Sequence, residues 1–566
     1  MTEEPARTYD QGVLFAWQAE LKAIPNRNVK QQCLQQEGEL LPRFAEHYQQ
    51  LKALRRRLRR SLQRQWKRSL AGLALLLALG QAPALAATIN VGGTCTLIRA
   101  IVAANNDTAT PGCKKGSGAD TIVLPLHSTQ TLTTVNNTNY GPTGLPTVRT
   151  PITIMGNGST IKRAKSAPSF HIFSVAQAGK LTLQKAIVSG SQSKLGQGAL
   201  YNYGGTVNVV SSTISGNTGC GINNHYYYND QNRSGRVTIS NSIISGNTGC
   251  GIGTFYTDSL TVTNSTISNN QGDGLLPDTT SARITGSTIS GNGGSGVDTG
   301  VYSYTRIINS TITGNAGTER RINTVLGRFG GGVYVGYGSN AFISNSTISG
   351  NTADAGGGLY ANDSYQTINV TNSTITGNAA GQGGGILIGG YASNLTLSRT
   401  IVAGNLSLQG RELFADAGAK ITVGNFNLFG YGRSSGLQGF TPGITDIVPS
   451  QPLSGILNPR LANNGGPTQT HALVAGSPAV DAINDGTCPP PTTDQRGVKR
   501  PQDGNGDGGP ACDLGSFELT VGVVAPPGSP TATSPKPPGP PPAPVNQPLV
   551  TAPEPPPPVE PPPPLY

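Results

Sequence analysis

Residues 212–217 have the sequence Ser-Thr-Ile-Ser-Gly-Asn, and close variants of this phrase recur along the chain as far as residue 405. The last Asn of each copy marks the register, and the shortest steps between marks are 22 and 23 residues. Repetition of a phrase at a nearly fixed period is typical of solenoids, in which each repeat stacks on its neighbours. The marks are Asn217, Asn247, Asn270, Asn292, Asn315, Asn351, Asn378 and Asn405.

Each repeat also carries the pattern of short β-strands. An aliphatic residue stands three positions before every mark, and an alternating run such as Val237-Thr238-Ile239 lies upstream of it. Alternation with a period of two residues indicates a half-buried strand. One short strand cannot bury its apolar face alone, but stacked coils bury it continuously. The sequence therefore predicts an all-β parallel β-helix with coils of about 22 residues.

We interpret the Asn marks as structural, because a column of amides in one register can hydrogen-bond from coil to coil. The Gly that precedes most marks allows the turn. Steps longer than the basic coil predict loops that project from the cross-section, at residues 223–236 and 317–329. Such loops are where recognition is expected.

Two groups of tyrosines are candidates for binding glycans. One lies in the first projecting loop, and the other follows the Gly-Gly-Gly sequences at 330–332 and 356–358. Exposed tyrosine rings suit stacking on sugar rings, and the alternative is that these rings cover strand edges. The candidates are Tyr226, Tyr227, Tyr228, Tyr334 and Tyr360.

The composition is unusual, with 77 Gly, 42 Pro and 12% charged residues. Residues 1–69 hold 14 Lys or Arg and 7 Asp or Glu, so this segment contributes +7 of the formal net charge of +11. The rest of the sequence shows no basic stripe with interleaved aromatic residues. We therefore expect no nucleic-acid partner.

The basic, partly helical leader at residues 1–69 precedes a short apolar run in residues 70–87. Small residues follow this run, and the order predicts a secretory signal that is cleaved near Ala86 or Ala87. The run is roughly half as long as a membrane-spanning helix. The basic segment is long for a signal, however, so an uncleaved leader that anchors the chain in the membrane is the alternative.

Six cysteines follow the predicted cleavage site and fall into three local pairs, which fits export to an oxidising compartment. Sequence does not prove connectivity, but pairing of nearest neighbours would join Cys95–Cys113, Cys220–Cys250 and Cys488–Cys512. Cys220 and Cys250 each follow an Asn mark by three residues in neighbouring coils. Equivalent residues of stacked strands lie about 4.8 Å apart, within disulfide range.

Two segments outside the repeats carry a family resemblance. Residues 95–101 have the sequence Cys-Thr-Leu-Ile-Arg-Ala-Ile. It resembles the Cys-Ser-Leu-Arg-Glu-Ala-Ile motif (CSLREA) that opens many exported bacterial β-helix proteins, with Ile98 and Arg99 in place of Arg-Glu.

The C-terminal segment resembles the choice-of-anchor Q domain. Its matching stretches are 461–473 (Leu-Ala-Asn-Asn-Gly-Gly-Pro-Thr-Gln-Thr-His-Ala-Leu), 476–482 (Gly-Ser-Pro-Ala-Val-Asp-Ala), 494–497 (Asp-Gln-Arg-Gly) and 512–518 (Cys-Asp-Leu-Gly-Ser-Phe-Glu). The resemblance covers residues 90–520 and implies a right-handed, pectin-lyase-like β-helix on a bacterial cell surface; it implies no reaction. We expect an N-terminal cap at 88–150, repeats at 151–430 and a C-terminal module at 431–520.

The pectin-lyase-like fold also carries polysaccharide lyases and glycoside hydrolases, so an enzyme is the main alternative. Residues 150–420 hold only ten carboxylates. Asp273 and Asp354 would share a column but stand three coils apart, about 14 Å at strand spacing. Asp354 and Asp363 are a pair that loops could bring together. We predict no catalytic residue and a non-catalytic protein.

One acidic run suggests Ca²⁺, and no other cofactor is expected. Asp503, Asn505 and Asp507 offer oxygen ligands at alternate positions, as in the first half of a calcium loop. Asp513 is a further candidate ligand. The alternative is a Gly-rich turn held by Cys512.

Residues 521–566 contain 20 Pro among 46 residues and cannot form a packed core. This disordered tail would act as a semi-rigid spacer. The sequence as a whole predicts a secreted, adhesin-like or structural surface protein that presents loops on a rod to glycans or neighbouring cells. A scaffold without a ligand is the third possibility.

Overall fold

The structure is a computed structural model. It describes residues 86–193, 198–225, 235–322, 325–361, 363–424, 426–483 and 488–520, together with Leu14 and Gln18. The rest of the predicted leader, residues 70–85 of the signal region and the Pro-rich tail lie outside the described residues. Within the described ranges no helix has both the length and the apolar composition of a membrane span.

A typical coil of the solenoid contains three short strands, and equivalent strands of successive coils pair in parallel. The coil that begins at Arg236 shows the plan: a five-residue strand, a three-residue strand and a four-residue strand follow one another, separated by turns. The three stacks of strands form faces A, B and C. Register is maintained from coil to coil, as where Ile244 lies opposite Ile214 and Ile267.

Face A contains β1 (Thr88–Asn90), β2 (Asp120–Val123), β8 (Thr206–Val210), β11 (Arg236–Ser240), β14 (Ser259–Thr263), β17 (Ser281–Thr285), β20 (Tyr304–Ile308), β25 (Asn340–Ser344), β28 (Thr367–Thr371), β31 (Asn394–Ser398) and β34 (Lys420–Val423). Face B contains β3 (Thr129–Leu132), β9 (Thr213–Ser215), β12 (Ile243–Ser245), β15 (Thr266–Ser268), β18 (Thr288–Ser290), β21 (Thr311–Thr313), β26 (Thr347–Ser349), β29 (Thr374–Thr376), β32 (Ile401–Val402) and β35 (Leu428–Phe429). Two long strands bend from face A into face B, β4 (Pro151–Arg163) and β6 (Lys180–Ser189).

Face C contains β5 (Phe173–Val175), β7 (Leu200–Asn202), β10 (Ile222–His225), β13 (Ile252–Phe255), β16 (Leu275–Asp278), β19 (Val297–Asp298), β24 (Val333–Tyr334), β27 (Leu359–Ala361), β30 (Ile386–Ile388), β33 (Leu413–Ala415) and β36 (Leu437–Gln438). An antiparallel hairpin of β22 (Thr318–Ile322) and β23 (Val325–Phe329) projects from one coil. The described helices are α1 (Leu97–Asn106) in the N-terminal cap and a 3-10 turn at Leu453–Gly455.

The core is a set of aliphatic columns that run along the solenoid. The predicted column on face B is completely buried in every coil, at Ile214, Ile244, Ile267, Ile289, Ile312, Ile348, Ile375 and Val402. Burying one such side chain stabilises the fold by about 1.5–3 kcal/mol relative to exposing it. The gain recurs in each coil, which is why the sequence repeats the apolar position so strictly. The predicted parallel β-solenoid is confirmed.

The Asn marks form a buried hydrogen-bonded ladder. The Nδ2 group of each Asn donates to the Oδ1 atom of the next at 2.8 to 3.0 Å, from Asn217 to Asn405. Asn405 donates both its backbone N–H and its Nδ2 group to Glu412, at 3.1 and 2.7 Å. Glu412 therefore replaces the missing next amide, and burial raises its pKa to about 7.

The turn before each mark needs a left-handed backbone. Gly216 has a φ of 64°, a conformation that costs Gly nothing because it has no Cβ. In the one coil whose phrase ends Asn-Asn instead of Gly-Asn, Asn269 adopts the same turn with a φ of 54°. Asn is among the non-Gly residues that tolerate this region best.

Three disulfides join nearest cysteines. Cys95 and Cys113 close the cap beside α1. Cys220 and Cys250 join adjacent coils with a Cα–Cα distance of 4.4 Å, close to the strand spacing expected from their register. The third disulfide joins Cys488 and Cys512 in the C-terminal module.

Longer coils change the register that the sequence suggests. Asp273 lies opposite Ser295, because Gly274 donates its N–H to the carbonyl of Ser295 and the next residues continue that pairing. Asp354 instead follows the hairpin and donates its N–H to the carbonyl of Arg328. The two carboxylates therefore do not share a column, because extra residues enlarge the turn after Asn351.

The C-terminal module folds back over the outer surface of face B. The Gln495 side chain bridges two coils by donating to Thr311 Oγ1 at 2.9 Å and accepting from Thr347 Oγ1 at 2.7 Å. His471 Nε2 lies 2.8 Å from Ser349 Oγ. The motif residues of this module therefore dock it onto the solenoid.

A buried charge network holds the module together. Asp494 binds Arg496 at 2.7 Å and also accepts the N–H of Glu518 at 3.0 Å. Arg500, whose side chain is fully buried, lies 3.2 Å from a carboxylate oxygen of Glu518. The guanidinium of Arg496 also covers the ring of Phe517. These contacts give structural roles to the Asp-Gln-Arg-Gly sequence and to the Glu of the closing motif.

Candidate functional site

The two tyrosines that follow Gly-Gly-Gly stack on face C but are not exposed. The rings of Tyr334 and Tyr360, here called the buried tyrosine pair, are nearly parallel with centroids 5.5 Å apart. Their exposed fractions are only 4% and 2%. The expectation that they are available to a ligand is therefore wrong, whereas their predicted stacking on one face is observed.

The hairpin β22–β23 is the physical reason for this burial. Phe329, at its base, lies 5.1 Å from the ring of Tyr360. The Arg320 guanidinium lies 4.2 Å from the ring centre of Tyr334, and the Tyr334 hydroxyl donates to Asp363 at 2.9 Å. Burial, followed by the charge of Asp363, raises the pKa of Tyr334. The pair therefore belongs to the packed structure of the rod.

Two buried carboxylates fasten the hairpin to face C. Asp298 forms an ion pair with Arg320, and its side chain has no solvent exposure. Asp273 accepts a hydrogen bond from the Thr318 hydroxyl and another from the backbone N–H of Ser295 at 2.8 Å. Desolvation by burial raises the pKa of Asp273. Both carboxylates thus have structural partners.

A groove of about 480 Å³ lies beside the hairpin. Its lining includes the exposed apolar residues Leu326 and Leu408 and the amides of Gln382 and Gln409. Asp354 is the acidic residue among those that line it, and its carboxylate accepts the backbone N–H of residue 328 at 2.8 Å. Among the described residues that line the groove, Asp354 is the one carboxylate, whereas glycoside hydrolysis typically uses a pair.

Tyr226, Tyr227 and Tyr228 lie outside the described residues. The described strand before them ends at His225, whose ring is 5.9 Å from that of Phe255 in the next coil. The glycan-binding prediction for these three tyrosines stays a prediction.

A second set of tyrosines, absent from the sequence-based candidates, is exposed. Tyr302, Tyr337, Tyr365 and Tyr391 come from four successive coils and form what we call the tyrosine ladder. Their exposed fractions are 62%, 39%, 52% and 70%. Successive ring centroids lie 5.5, 5.7 and 5.6 Å apart, and successive ring planes make angles of 90°, 81° and 81°. Four edge-to-face aromatic rings thus form a continuous exposed row.

The ladder lies at the corner between faces C and A and rests on unusual backbone. Tyr302 and Tyr365 have φ values of 47° and 59°, in the left-handed region that bulky residues rarely adopt. Gly338 has a φ of 63°, and a Cβ there would lie 2.8 Å from the Tyr302 ring. The same left-handed turn recurs at this corner in earlier coils, at Tyr256 and Thr279, so it belongs to the regular turn of the solenoid.

The sequence did contain a signal for the ladder. Tyr302 and Tyr365 stand 13 residues before the next Asn mark, whereas Tyr337 and Tyr391 stand 14 residues before it. Counting backwards from the marks places all four at one corner of the coil. Counting forwards fails, because the hairpin and other insertions lie between the preceding mark and each tyrosine.

The candidate calcium ligands do not converge. Asp503 accepts the N–H groups of Gly506 and Gly508 at 2.7 and 2.9 Å, and Asn505 accepts the N–H of Asp507 at 2.8 Å. Asp513 is buried, and its carboxylate accepts backbone N–H groups of the module core. Within the part of the chain that the structure describes, no group of three or more His, Cys, Asp or Glu could hold a metal ion. These hydrogen bonds are those of a Gly-rich turn, and Ca²⁺ binding there stays a prediction.

Comparison with known proteins agrees with the fold. A family model described as the right-handed β-helix region matches residues 152–282 and 231–428. Among solved structures, the chain is similar to pectate lyase Pel9A (16% identity, TM-score 0.36, covering 73% of this chain and 92% of that one) and to the catalytic domain of Agl-KA (16% identity, TM-score 0.33, covering 60% and 69%). No curated protein sequence matches the chain. The predicted right-handed parallel β-helix is confirmed.

Proposed function

We propose that this protein is an exported, non-catalytic surface protein that binds glycans through the tyrosine ladder. The observation that carries the proposal is the row of four exposed tyrosine rings on four successive coils. A tyrosine ring offers an apolar face to the C–H groups of a sugar and a hydroxyl to its polar groups. Contiguous exposed aromatic rings are uncommon on soluble proteins and mark binding surfaces.

The ladder is also pre-organised for binding. Each ring contacts its neighbour, so the rotamer freedom that a ligand would otherwise have to restrict is already reduced. A tyrosine hydroxyl is protonated at neutral pH and can both donate and accept a hydrogen bond.

The non-catalytic part of the proposal rests on the carboxylates near face C. Asp273 and Asp298 are buried and bonded to the hairpin, and Asp363 accepts from Tyr334. Asp354 lines a groove without an acidic partner. General acid–base catalysis needs a group that can reach the substrate and exchange a proton with it.

Export and surface display complete the proposal. Three disulfides fit an oxidising compartment. The signal-like sequence, the CSLREA-like start, the choice-of-anchor Q-like module and the Pro-rich tail are consistent with a rod held on a bacterial surface. Attachment through an uncleaved leader is the alternative to cleavage near Ala86 or Ala87.

A polysaccharide lyase or glycoside hydrolase is the second candidate. One observation favours it: Asp273 has a pKa raised by burial and lies within the electrostatic reach of Arg320, and perturbed carboxylates beside a cation are frequent at active sites. A rod without a ligand is the remaining possibility.

One experiment separates these candidates. The full chain is incubated with immobilised neutral and acidic polysaccharides, with and without Ca²⁺, and both retention and product release are measured. Retention without products supports the proposal. Products that disappear in an Asp273→Asn variant would establish the enzyme, and neither retention nor products would leave a scaffold. Ca²⁺-dependent retention that is lost in Asp503→Ala would instead locate binding in the acidic run.

A matched pair of variants locates the site of retention. Tyr337→Ala removes a ring from the middle of the ladder. Tyr256→Ala removes a tyrosine from the corresponding corner two coils before Tyr302, outside the ladder. We expect retention to fall in the first variant alone; an equal fall in both would refute the role of the ladder.

A further inference from the structure

The tyrosine ladder repeats every two coils instead of every coil. Tyr302 donates its N–H to the carbonyl of Tyr337, which places Tyr302 opposite Gly338. Gly338 donates to the carbonyl of Ser364, and it therefore lies opposite Tyr365. Tyr302 and Tyr365 thus share one register position, two coils apart, about 10 Å at strand spacing.

The other two tyrosines share the neighbouring position. Tyr365 donates its N–H to the carbonyl of Tyr391, so Tyr391 precedes the residue opposite Tyr365 by one. Tyr337 precedes Gly338 by one in the same way. The ladder is therefore a zigzag, in which alternate rings stand on alternate positions and each ring plane is nearly perpendicular to its neighbours.

The short segments that present the ladder rings carry no formal charge, and Asp363, two residues before Tyr365, accepts a hydrogen bond from the Tyr334 hydroxyl. The four segments that present the rings are 301–305 (Val-Tyr-Ser-Tyr-Thr), 337–340 (Tyr-Gly-Ser-Asn), 364–367 (Ser-Tyr-Gln-Thr) and 391–394 (Tyr-Ala-Ser-Asn). None contains Asp, Glu, Lys or Arg. The nearby Arg306 directs its guanidinium to the Tyr304 hydroxyl, at 2.6 and 2.9 Å, and packs over the ring of Phe342.

A column of uncharged polar side chains runs beside the ladder on face A. Tyr304, Asn340, Thr367 and Asn394 lie opposite one another in successive coils and start their strands. None of them is buried. Amides and hydroxyls in this position can hydrogen-bond the hydroxyl groups of a sugar that stacks on the adjacent rings.

We propose, on the basis of the glycan-binding function above, that the ladder binds an extended, uncharged β-1,4-linked polysaccharide that lies along the solenoid axis. Successive sugars of such a chain are turned over, so the chain shows the same face at every second sugar. A zigzag of rings that repeats every second coil matches this alternation. Four rings accommodate about four sugars when each sugar spans one coil.

The test uses the full chain and oligosaccharides of increasing length. Cello-, xylo-, manno- and chito-oligosaccharides, from the disaccharide to the octasaccharide, are titrated calorimetrically, with oligogalacturonides of the same lengths as the charged comparison. We expect affinity for at least one neutral series to rise up to the tetrasaccharide and then level off. Tyr337→Ala should lower tetrasaccharide affinity about five-fold, the loss of one aromatic contact of ~1 kcal/mol.

Further variants distinguish stacking from loss of structure. Tyr337→Phe retains the ring and should keep most of the affinity, and Tyr256→Ala should leave it unchanged. Binding that is confined to oligogalacturonides and lost in Tyr337→Ala would overturn this inference while leaving the glycan-binding function in place. Affinity for a neutral series that does not depend on chain length would overturn it as well. Absence of binding to every saccharide would refute both.

Discussion

The buried tyrosine pair and the tyrosine ladder come from the same part of the solenoid, yet they have opposite environments. Tyr334 and Tyr360 are 4% and 2% exposed, whereas Tyr337 and Tyr365, only a few residues further along the same coils, are 39% and 52% exposed. All four point away from the core. The difference is that the hairpin covers face C and leaves the corner uncovered. A side chain that points outward from a solenoid is therefore exposed only where no loop covers it.

The two sets also differ in how their rings meet. The buried pair stacks with an angle of 11° between ring planes, because register places Tyr334 directly opposite Tyr360. The ladder rings alternate between two register positions and meet edge to face. Directly opposed rings fill a covered space efficiently, whereas offset rings keep part of each face open to solvent.

The largest effect on stability is expected from truncating a ring of the buried tyrosine pair. Tyr360→Ala removes a buried aromatic ring and should lower the free energy of unfolding by about 3–5 kcal/mol, because the packed hairpin cannot fill the cavity. Urea denaturation followed by circular dichroism measures this change. A loss below about 1 kcal/mol would show that the pair does not contribute to the packed core.

Weakening the attachment of the β22–β23 hairpin to face C should have the next largest effect on stability. Asp298→Asn removes the ion pair with Arg320 and should lower the free energy of unfolding by about 1–3 kcal/mol, less than for a fully buried pair because Arg320 is 32% exposed and stays near Asp273. Hydrogen exchange should quicken in residues 318–329. Asp258→Asn breaks an exposed pair with Arg236 and is the control; equal effects in both variants would contradict the proposed role of the hairpin.

The Asn ladder ends on a titratable group, Glu412, in the place where another Asn would otherwise accept. Burial raises the pKa of Glu412 to about 7 from an ordinary value of 4.5. At a pH between these two values, the Glu412 carboxyl is protonated in the folded chain and ionised in the unfolded chain. The contribution of Glu412 to stability is thus full below pH 4.5 and is lost as the pH rises towards 7.

Glu412→Gln should flatten this pH dependence, by up to about 3 kcal/mol across the window, because one pKa unit corresponds to about 1.4 kcal/mol. Melting temperatures of the wild-type and variant proteins, measured between about pH 4.5 and 8, give the result. Asp416→Asn removes an exposed carboxylate from the same coil and should leave the pH dependence intact. A variant profile parallel to the wild-type profile would mean that Glu412 does not titrate in this range.

The smallest effect on stability is expected from the ladder. Tyr337→Ala should lower the free energy of unfolding by about 1 kcal/mol, since the ring packs edge to face on Tyr302 and Tyr365 but covers no buried core. The same urea denaturation measures it. A destabilisation as large as that of Tyr360→Ala would remove the distinction between the two sets of tyrosines.

Sequence alone predicted the features that depend on one coil and its immediate neighbours. The aliphatic column, the Asn ladder and the opposition of Cys220 and Cys250 all follow from residues that recur at one position of each repeat. Stacking converts such a recurrence directly into contact. The family-like motifs of the C-terminal module were visible too, although their role in docking onto Thr311 and Thr347 was not.

The tertiary structure alone decided which outward residues are covered. The insertion at 317–329 was visible as extra length, but length does not determine that the hairpin folds over face C or that Arg320 reaches Asp298. The contact between the C-terminal module and face B likewise joins residues that are more than a hundred positions apart in the sequence. The sequence repeat determines the solenoid because each coil packs on coils of nearly the same sequence. The hairpin and the C-terminal module instead pack on segments unlike themselves, and the repeat contains no pattern that predicts those contacts.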